Sequence, residues 1–249
     1  MIKIEGKKFD WFGLTQILKE HKGKLRQIRM LSVNELKKKY KGAALGPLWA
    51  LIKPTFTLFI LWFAFEIGLK RNGGVHFING KYTQFVFMLT GYVPWFYISE
   101  CIVGGSRSIR SNKQFVTKLS FPVSNIMTFT SLSGLYIHIL LCAIMYVVLL
   151  CLGFGPSIYN LQFIYYALMM YFFFLVLSWM TAPLSAFSKD FENLINSVIT
   201  GLFWLSGIFW NTYDISPLWL RKLMYFNPIN YFVNGYRKSF LLYTSPSPR

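Results

Sequence analysis

A chain of 249 residues that is 54% hydrophobic and only 14% charged is not an ordinary soluble domain, where about a quarter of residues carry charge. Its apolar runs approach the roughly 20 residues that cross a bilayer as a helix, and they are continuous rather than alternating, which argues against a β-barrel. The net charge of +17 would point to nucleic acid in a soluble protein. Here the basic residues crowd into the first forty positions and a few short loops, so topology and anionic lipid headgroups account for them and no nucleic-acid partner is expected.

Residues 1–44 read as a basic cytoplasmic segment, with Glu5, Asp10, Glu20 and Glu35 the only acids. Leu25, Ile28, Val33, Leu36 and Tyr40 fall on one helical arc. The pattern predicts a moderately amphipathic helix lying along the inner membrane surface. At the seam with the first apolar run stand Lys39, Tyr40, Lys41, Gly42, Leu45, Gly46, Trp49 and Pro54. Gly42 and Gly46, four apart, would give a helix a flat face for close approach, and Trp49 suits the headgroup level.

A bundle of five spans is expected over residues 45–210, at roughly 45–69, 82–102, 123–152, 161–187 and 194–210. Between the second and third spans, residues 107–122 hold Arg107, Arg110, Lys113 and Lys118 and no acid, which marks an inner loop ending at Phe121-Pro122. A tight inner loop at 188–192 carries the pair Lys189 and Asp190, whose opposite charges can cap helix ends. Glu66 lies near the outer end of the first span and Glu100 near the inner end of the second. His138 stands inside the third with no acid at helical spacing, so a packing histidine bonded to a neighbour is expected. Cys101, Cys142 and Cys151 all lie in apolar runs without metal spacing and read as small core residues.

Residues 211–243 read as an outer segment. Ser216-Pro217 and Asn227-Pro228 are each a cap residue followed by proline, so two short helices should start there. In the second, Ile229, Phe232, Val233, Tyr236 and Phe240 form one apolar stripe, with Asn230, Arg237 and Lys238 polar. Arg221, Lys222, Arg237 and Lys238 are expected either to meet a phosphate-bearing substrate or to snorkel to outer headgroups. The tail at 244–249 is polar and proline-rich and reads as foreign to what precedes it.

Taken together, the interfacial motif, Phe121-Pro122, Lys189-Asp190 and the outer Asn227-Pro228 with Tyr236-Arg237, in that order, resemble the permease subunits of ABC type-2 exporters that move polysaccharides and polyol phosphates such as O-antigen, capsule or teichoic acid. The resemblance implies an all-α polytopic membrane domain with an interfacial helix, six spans where five are visible here, and re-entrant outer helices. It implies that residues 107–122 couple to a nucleotide-binding ATPase subunit and that Asn227, Pro228, Tyr236 and Arg237 belong to an outer gate. It also implies a second copy of the permease, a lipid-linked glycan as substrate, and multi-pass residence in the bacterial inner membrane with the N-terminus inside. No phosphate loop of the form Gly-x-x-x-x-Gly-Lys-Ser/Thr occurs, so no cofactor is expected in this chain; ATP and magnesium would sit on the partner. Export of a small molecule by the same kind of permease is the alternative. A membrane-embedded enzyme acting on lipid-linked sugar would need acids, histidines or a metal set converging at one depth, and Glu66, Glu100 and His138 do not.

Overall fold

The computed structural model describes residues 13–68, 83–117, 121–212 and 215–241, and these are helices joined by short turns. In order they are α1 (Gly13–His21), α2 (Leu25–Lys39), a 3₁₀ turn (Gly46–Leu48) leading into α3 (Trp49–Trp62) and a π-helical end (Phe63–Gly68), α4 (Gln84–Ser111), α5 (Lys113–Thr117), α6 (Val123–Cys151), a 3₁₀ turn (Ile158–Leu161) leading into α7 (Gln162–Phe187), α8 (Lys189–Leu205), α9 (Leu218–Phe226) and α10 (Pro228–Leu241). Among the described residues, four stretches are long and apolar enough to cross a membrane: Gly46–Phe65, Gln84–Ser111, Val123–Cys151 and Ile158–Phe187.

The expected fifth span is shorter than the sequence suggests. α8 has 17 residues, about 26 Å at 1.5 Å per residue, against a hydrocarbon thickness of about 30 Å. It starts at Lys189, so part of that length is charged, and it stops at Leu205. Gly207, at φ 64°, then turns the chain out of the helix.

The bundle is built around α4, which packs against α3, α6, α7, α8 and α10. Of its most apolar stretch 78% is buried, against 17–33% for the other three spans. Thr83 caps it, its hydroxyl accepting from the Val86 amide at 3.4 Å. Small residues set the crossings. A Cβ on Gly105 would collide with the Ser178 side chain of α7, so the two backbones meet at that point. α6 ends as a Schellman motif: Gly153 takes φ 89°, Phe154 N–H donates to Leu149 O at 3.0 Å and Gly153 N–H to Leu150 O at 3.0 Å.

The basic interfacial helix is present as α2, docked on α6. Its packed face keeps Ile28, Leu36 and Tyr40 of the predicted arc but not the whole of it. Ile28 and Ser32 are buried while Leu25 and Val33 are exposed. The reason is polar: the Ser32 hydroxyl is 3.2 Å from the Tyr136 hydroxyl of α6, which rotates the helix away from its most apolar side. The flat glycine face is not formed either. Gly42 (φ 82°) and Gly46 (φ 49°) both sit in the turn after α2, where left-handed backbone ends the helix.

α1 docks on the start of α6 in a way composition did not signal. His21 Nε2 is 2.8 Å from Thr128 Oγ1, and Ser124 donates to the Glu20 carboxylate. The acid sits at the N-terminus of α6, where the helix dipole favours negative charge.

Candidate functional site

Two constellations stand at opposite ends of the bundle. The first gathers at the basic end, where α2, the C-termini of α4 and α7 and the N-termini of α6 and α8 meet. α7 and α8 are joined through Ser188 alone, whose extended backbone reverses the chain and whose hydroxyl accepts from the Asp190 amide at 3.1 Å. The residues at 188–192 are therefore a cap and a first helical turn rather than a loop. That placement turns Glu192 onto α4: Arg107 Nε is 2.6 Å from its Oε1, and Arg110 Nη1 is 3.6 Å from its Oε2. Arg110 also donates to the carbonyl of Ser185. Lys189 and Asp190 themselves are exposed. The sequence singled out this pair, yet the acid that ties the elements is Glu192, two positions on.

The stretch from 107 to 122 is not a single loop. Arg107 and Arg110 belong to the last turns of α4, because the helix runs on to Ser111. α5 follows, its Phe115 ring packed on Phe121 at 5.5 Å and Phe129 at 5.7 Å, while Lys113, Val116 and Thr117 face outward. Pro122 holds the cap position of α6. Lys118 lies outside the described residues.

Of the interfacial motif, Lys39 pairs with Glu100 of α4. Tyr40 is buried beside it, and its phenol is pushed up to about 12, first by burial and then by the Glu100 carboxylate. Trp49 is half-buried and Pro54 is buried within α3, whereas Lys41, Gly42 and Leu45 are exposed and Gly46 is half-buried. The structure thus unites Lys39 and Tyr40 with Glu100, leaves Lys41, Gly42, Leu45 and Gly46 in the connection to α3, and places Trp49 and Pro54 in α3 itself.

The second constellation is built on α10. Asn227 caps it, its side-chain oxygen accepting from the Ile229 amide at 3.0 Å, with Pro228 in the first turn. α9 starts one residue later than expected: Pro217 is its extended cap and Leu218 its first residue. The predicted stripe of Ile229, Phe232, Val233, Tyr236 and Phe240 is buried throughout. So are Asn230 and Arg237, which overturns the expected polar face. α10 enters the bundle between α4 and α7. Tyr236 reaches His138 in mid-α6 through a 2.6 Å hydrogen bond, which is the neighbour the lone histidine was expected to have.

Arg237 therefore neither snorkels nor faces an outer phosphate. Its guanidinium donates to Ile208 O at 2.6 Å and Gly207 O at 2.7 Å, and lies 3.5 Å over the Phe87 ring. Those carbonyls are exposed to it because the chain has left α8 at Gly207. Gly91 of α4 makes room, since a Cβ there would collide with the guanidinium. Arg221 is likewise held, donating to Ile215 O at 2.8 Å. Asn230 knots the same region, accepting from Thr212 at 2.8 Å and donating to Met224 O at 3.0 Å.

Among the described residues no group of histidine, cysteine and acid side chains could hold a metal ion. Glu100 is engaged with Lys39 and His138 with Tyr236. The side chain of Glu66 lies outside the described residues.

A bundle of long apolar helices with a docked basic helix is that of an all-α polytopic membrane protein. Residues 26–241 match the family described as ABC-2 type transporter, and the chain belongs to that family. Among curated proteins it is similar to an O-antigen export system permease protein RfbA of Myxococcus xanthus, at 24% identity over 213 residues, covering 85% of this chain and 79% of the relative. It is also similar to an RfbA permease protein of Klebsiella pneumoniae, at 26% identity over 222 residues with the same coverage.

Proposed function

We propose that this chain is the transmembrane permease subunit of an ATP-driven exporter that moves a lipid-linked polysaccharide across the cytoplasmic membrane. The observation that carries the reading is that the family match runs over nearly the whole bundle, together with relatives named as O-antigen export permeases. In this reading the basic end is cytoplasmic, and Lys113, Val116 and Thr117 of α5 meet a separate nucleotide-binding subunit that holds ATP and magnesium. A second copy of the permease completes the polymer path, and α9 with α10 forms its outer gate. The substrate headgroup is admitted near α2, whose basic residues suit lipid phosphates.

The test is co-purification with the neighbouring ATPase subunit, followed by ATP hydrolysis in lipid vesicles with and without lipid-linked glycan. A stable complex with glycan-stimulated turnover is the expected result. A stable complex stimulated only by small amphiphiles supports the small-molecule exporter instead. Failure of any ATPase to bind removes the energy source and defeats the export reading.

A further inference from the structure

At the end of the bundle opposite α2 and α5, a cavity of about 160 Å³ lies between the start of α7, α9 and α10. Tyr231, Asn234, Gly235 and Lys238 line it from one face of α10, at helical spacings of three and four. Tyr225 of α9 and Tyr166 of α7 stand across from them. Tyr166 fits there because position 235 is glycine: a Cβ would meet its ring at 2.4 Å. Tyr166 lies about 32 Å along α7 from Phe187, which only Ser188 separates from the charged Lys189. With a hydrocarbon layer of about 30 Å, the cavity therefore sits at the opposite membrane–water boundary.

The wall is a set of donors. Residues 215–241 carry Arg221, Lys222, Arg237 and Lys238 and no acid. Arg221 and Arg237 are spent on backbone carbonyls. Lys238 is half-buried on the wall, and among the described residues it has no carboxylate and no other acceptor. Asn234 is held end for end: its Oδ1 accepts from Arg237 at 3.2 Å and its Nδ2 donates to Asn230 Oδ1 at 3.0 Å, which leaves one amide N–H over. The Tyr166 hydroxyl has no hydrogen-bond partner among the described residues. An ammonium, an amide N–H and a phenol with no carboxylate beside them suit a compact oxyanion. The space is well below the roughly 300 Å³ at which drug-sized ligands begin, and the boundary is where lipid phosphates lie.

We propose that this cavity binds the phosphate of an anionic phospholipid headgroup, with Lys238 as its counter-ion and Asn234 and Tyr166 as hydrogen-bond donors. The headgroup bridges α7, α9 and α10. A zwitterionic lipid is the poorer ligand, because its ammonium meets Lys238 and finds no carboxylate. The inference needs only that the bundle spans a membrane, and it stands apart from the export reading.

The test is thermal unfolding of the full chain, purified in an uncharged detergent and titrated with phosphatidylglycerol, phosphatidylcholine or inorganic phosphate. Phosphatidylglycerol should raise the midpoint saturably. Its binding should weaken about tenfold in Lys238→Met and about threefold in Tyr166→Phe, and be largely restored in Lys238→Arg. Neither side chain has a hydrogen-bond partner to lose, so the lipid-free midpoints should match the parent; if that of Lys238→Met falls, Tyr166→Phe decides. Lys222→Met, on the exposed side of α9, should bind within about twofold of the parent. Unchanged binding in Lys238→Met and Tyr166→Phe overturns the proposal. An equal loss in Lys222→Met shows that this end attracts anions without a site, and overturns it too. Phosphatidylcholine binding as tightly as phosphatidylglycerol refutes the anion assignment. Inorganic phosphate binding as tightly refutes the lipid, leaving a site for a free anion.

Discussion

Replacing Arg237 by methionine keeps the aliphatic stem and removes the guanidinium from the contact between α10, α4 and the end of α8. Two carbonyls, of Gly207 and Ile208, then lose donors at 2.7 and 2.6 Å, at about 1–3 kcal/mol for each buried acceptor left alone. The desolvated contact with the Phe87 ring, at 3.5 Å, is worth about 2 kcal/mol more. Relief from burying a cation returns several kcal/mol. The net loss is about 3 kcal/mol, roughly a hundredfold in the equilibrium for α10 leaving the bundle. Hydrogen exchange read by mass spectrometry on the purified protein should show amides of 228–241 and 206–211 exchanging about a hundredfold faster, with α6 unaffected. Arg237→Lys should fall between, because a point charge cannot span two carbonyls. Gly91→Ala should reproduce part of the loss by displacing the guanidinium, and should cost less in the Arg237→Met background, where only the tight contact with the Ile208 carbonyl at 3.3 Å remains. Exchange in 228–241 that changes less than about threefold in Arg237→Met, or fully additive effects of the two substitutions, would refute this account.

Three further outcomes can be checked more simply. Gly105→Ala should cost about 1–3 kcal/mol by overpacking against Ser178, and Ser178→Gly should recover most of it in thermal unfolding; an undisturbed midpoint for Gly105→Ala denies the close crossing. Glu192→Gln should cost about 1 kcal/mol or less, since its arginine partners are partly exposed, and added salt should shrink the difference from the parent. The phenol of Tyr40 is raised in the fold from 10.0 to about 12, so its contribution to stability is intact below about pH 10 and lost as pH rises through 12. Tyr40→Phe should flatten the fall in unfolding temperature across that window, and an unchanged slope would show that the phenol is not held out of water.

The class and four of the five expected spans were legible because a bilayer demands long apolar helices, and α6 and α7 end within a few residues of where hydropathy places them. Capping chemistry placed α10 well: Asn227-Pro228 is a local signal that the rest of the chain does not override. What failed depended on three-dimensional context. Arg237 looked like a surface cation because composition cannot show that Gly207 turns two carbonyls inward to receive it. The Gly42 and Gly46 pair has helical spacing, but spacing does not report that both residues take positive φ. Glu192 was passed over in favour of Lys189 and Asp190 because nothing local distinguishes one acid of a first helical turn from the next; its partners come from α4.

The burial of α4 also bears on how the protein is made. Its mean hydropathy of 1.4 is the lowest of the four crossing stretches, against 2.4 for α6. Gln84, Thr90, Ser106 and Ser108 are covered by neighbouring helices in the finished bundle, but an isolated α4 would show them to lipid. Leaving the translocon alone is therefore least favourable for the helix on which the other three crossing stretches converge. Biogenesis should hold α4 at the channel until α6 has emerged, so that the two pass into the bilayer together and the centre of the bundle is settled before its outer helices arrive.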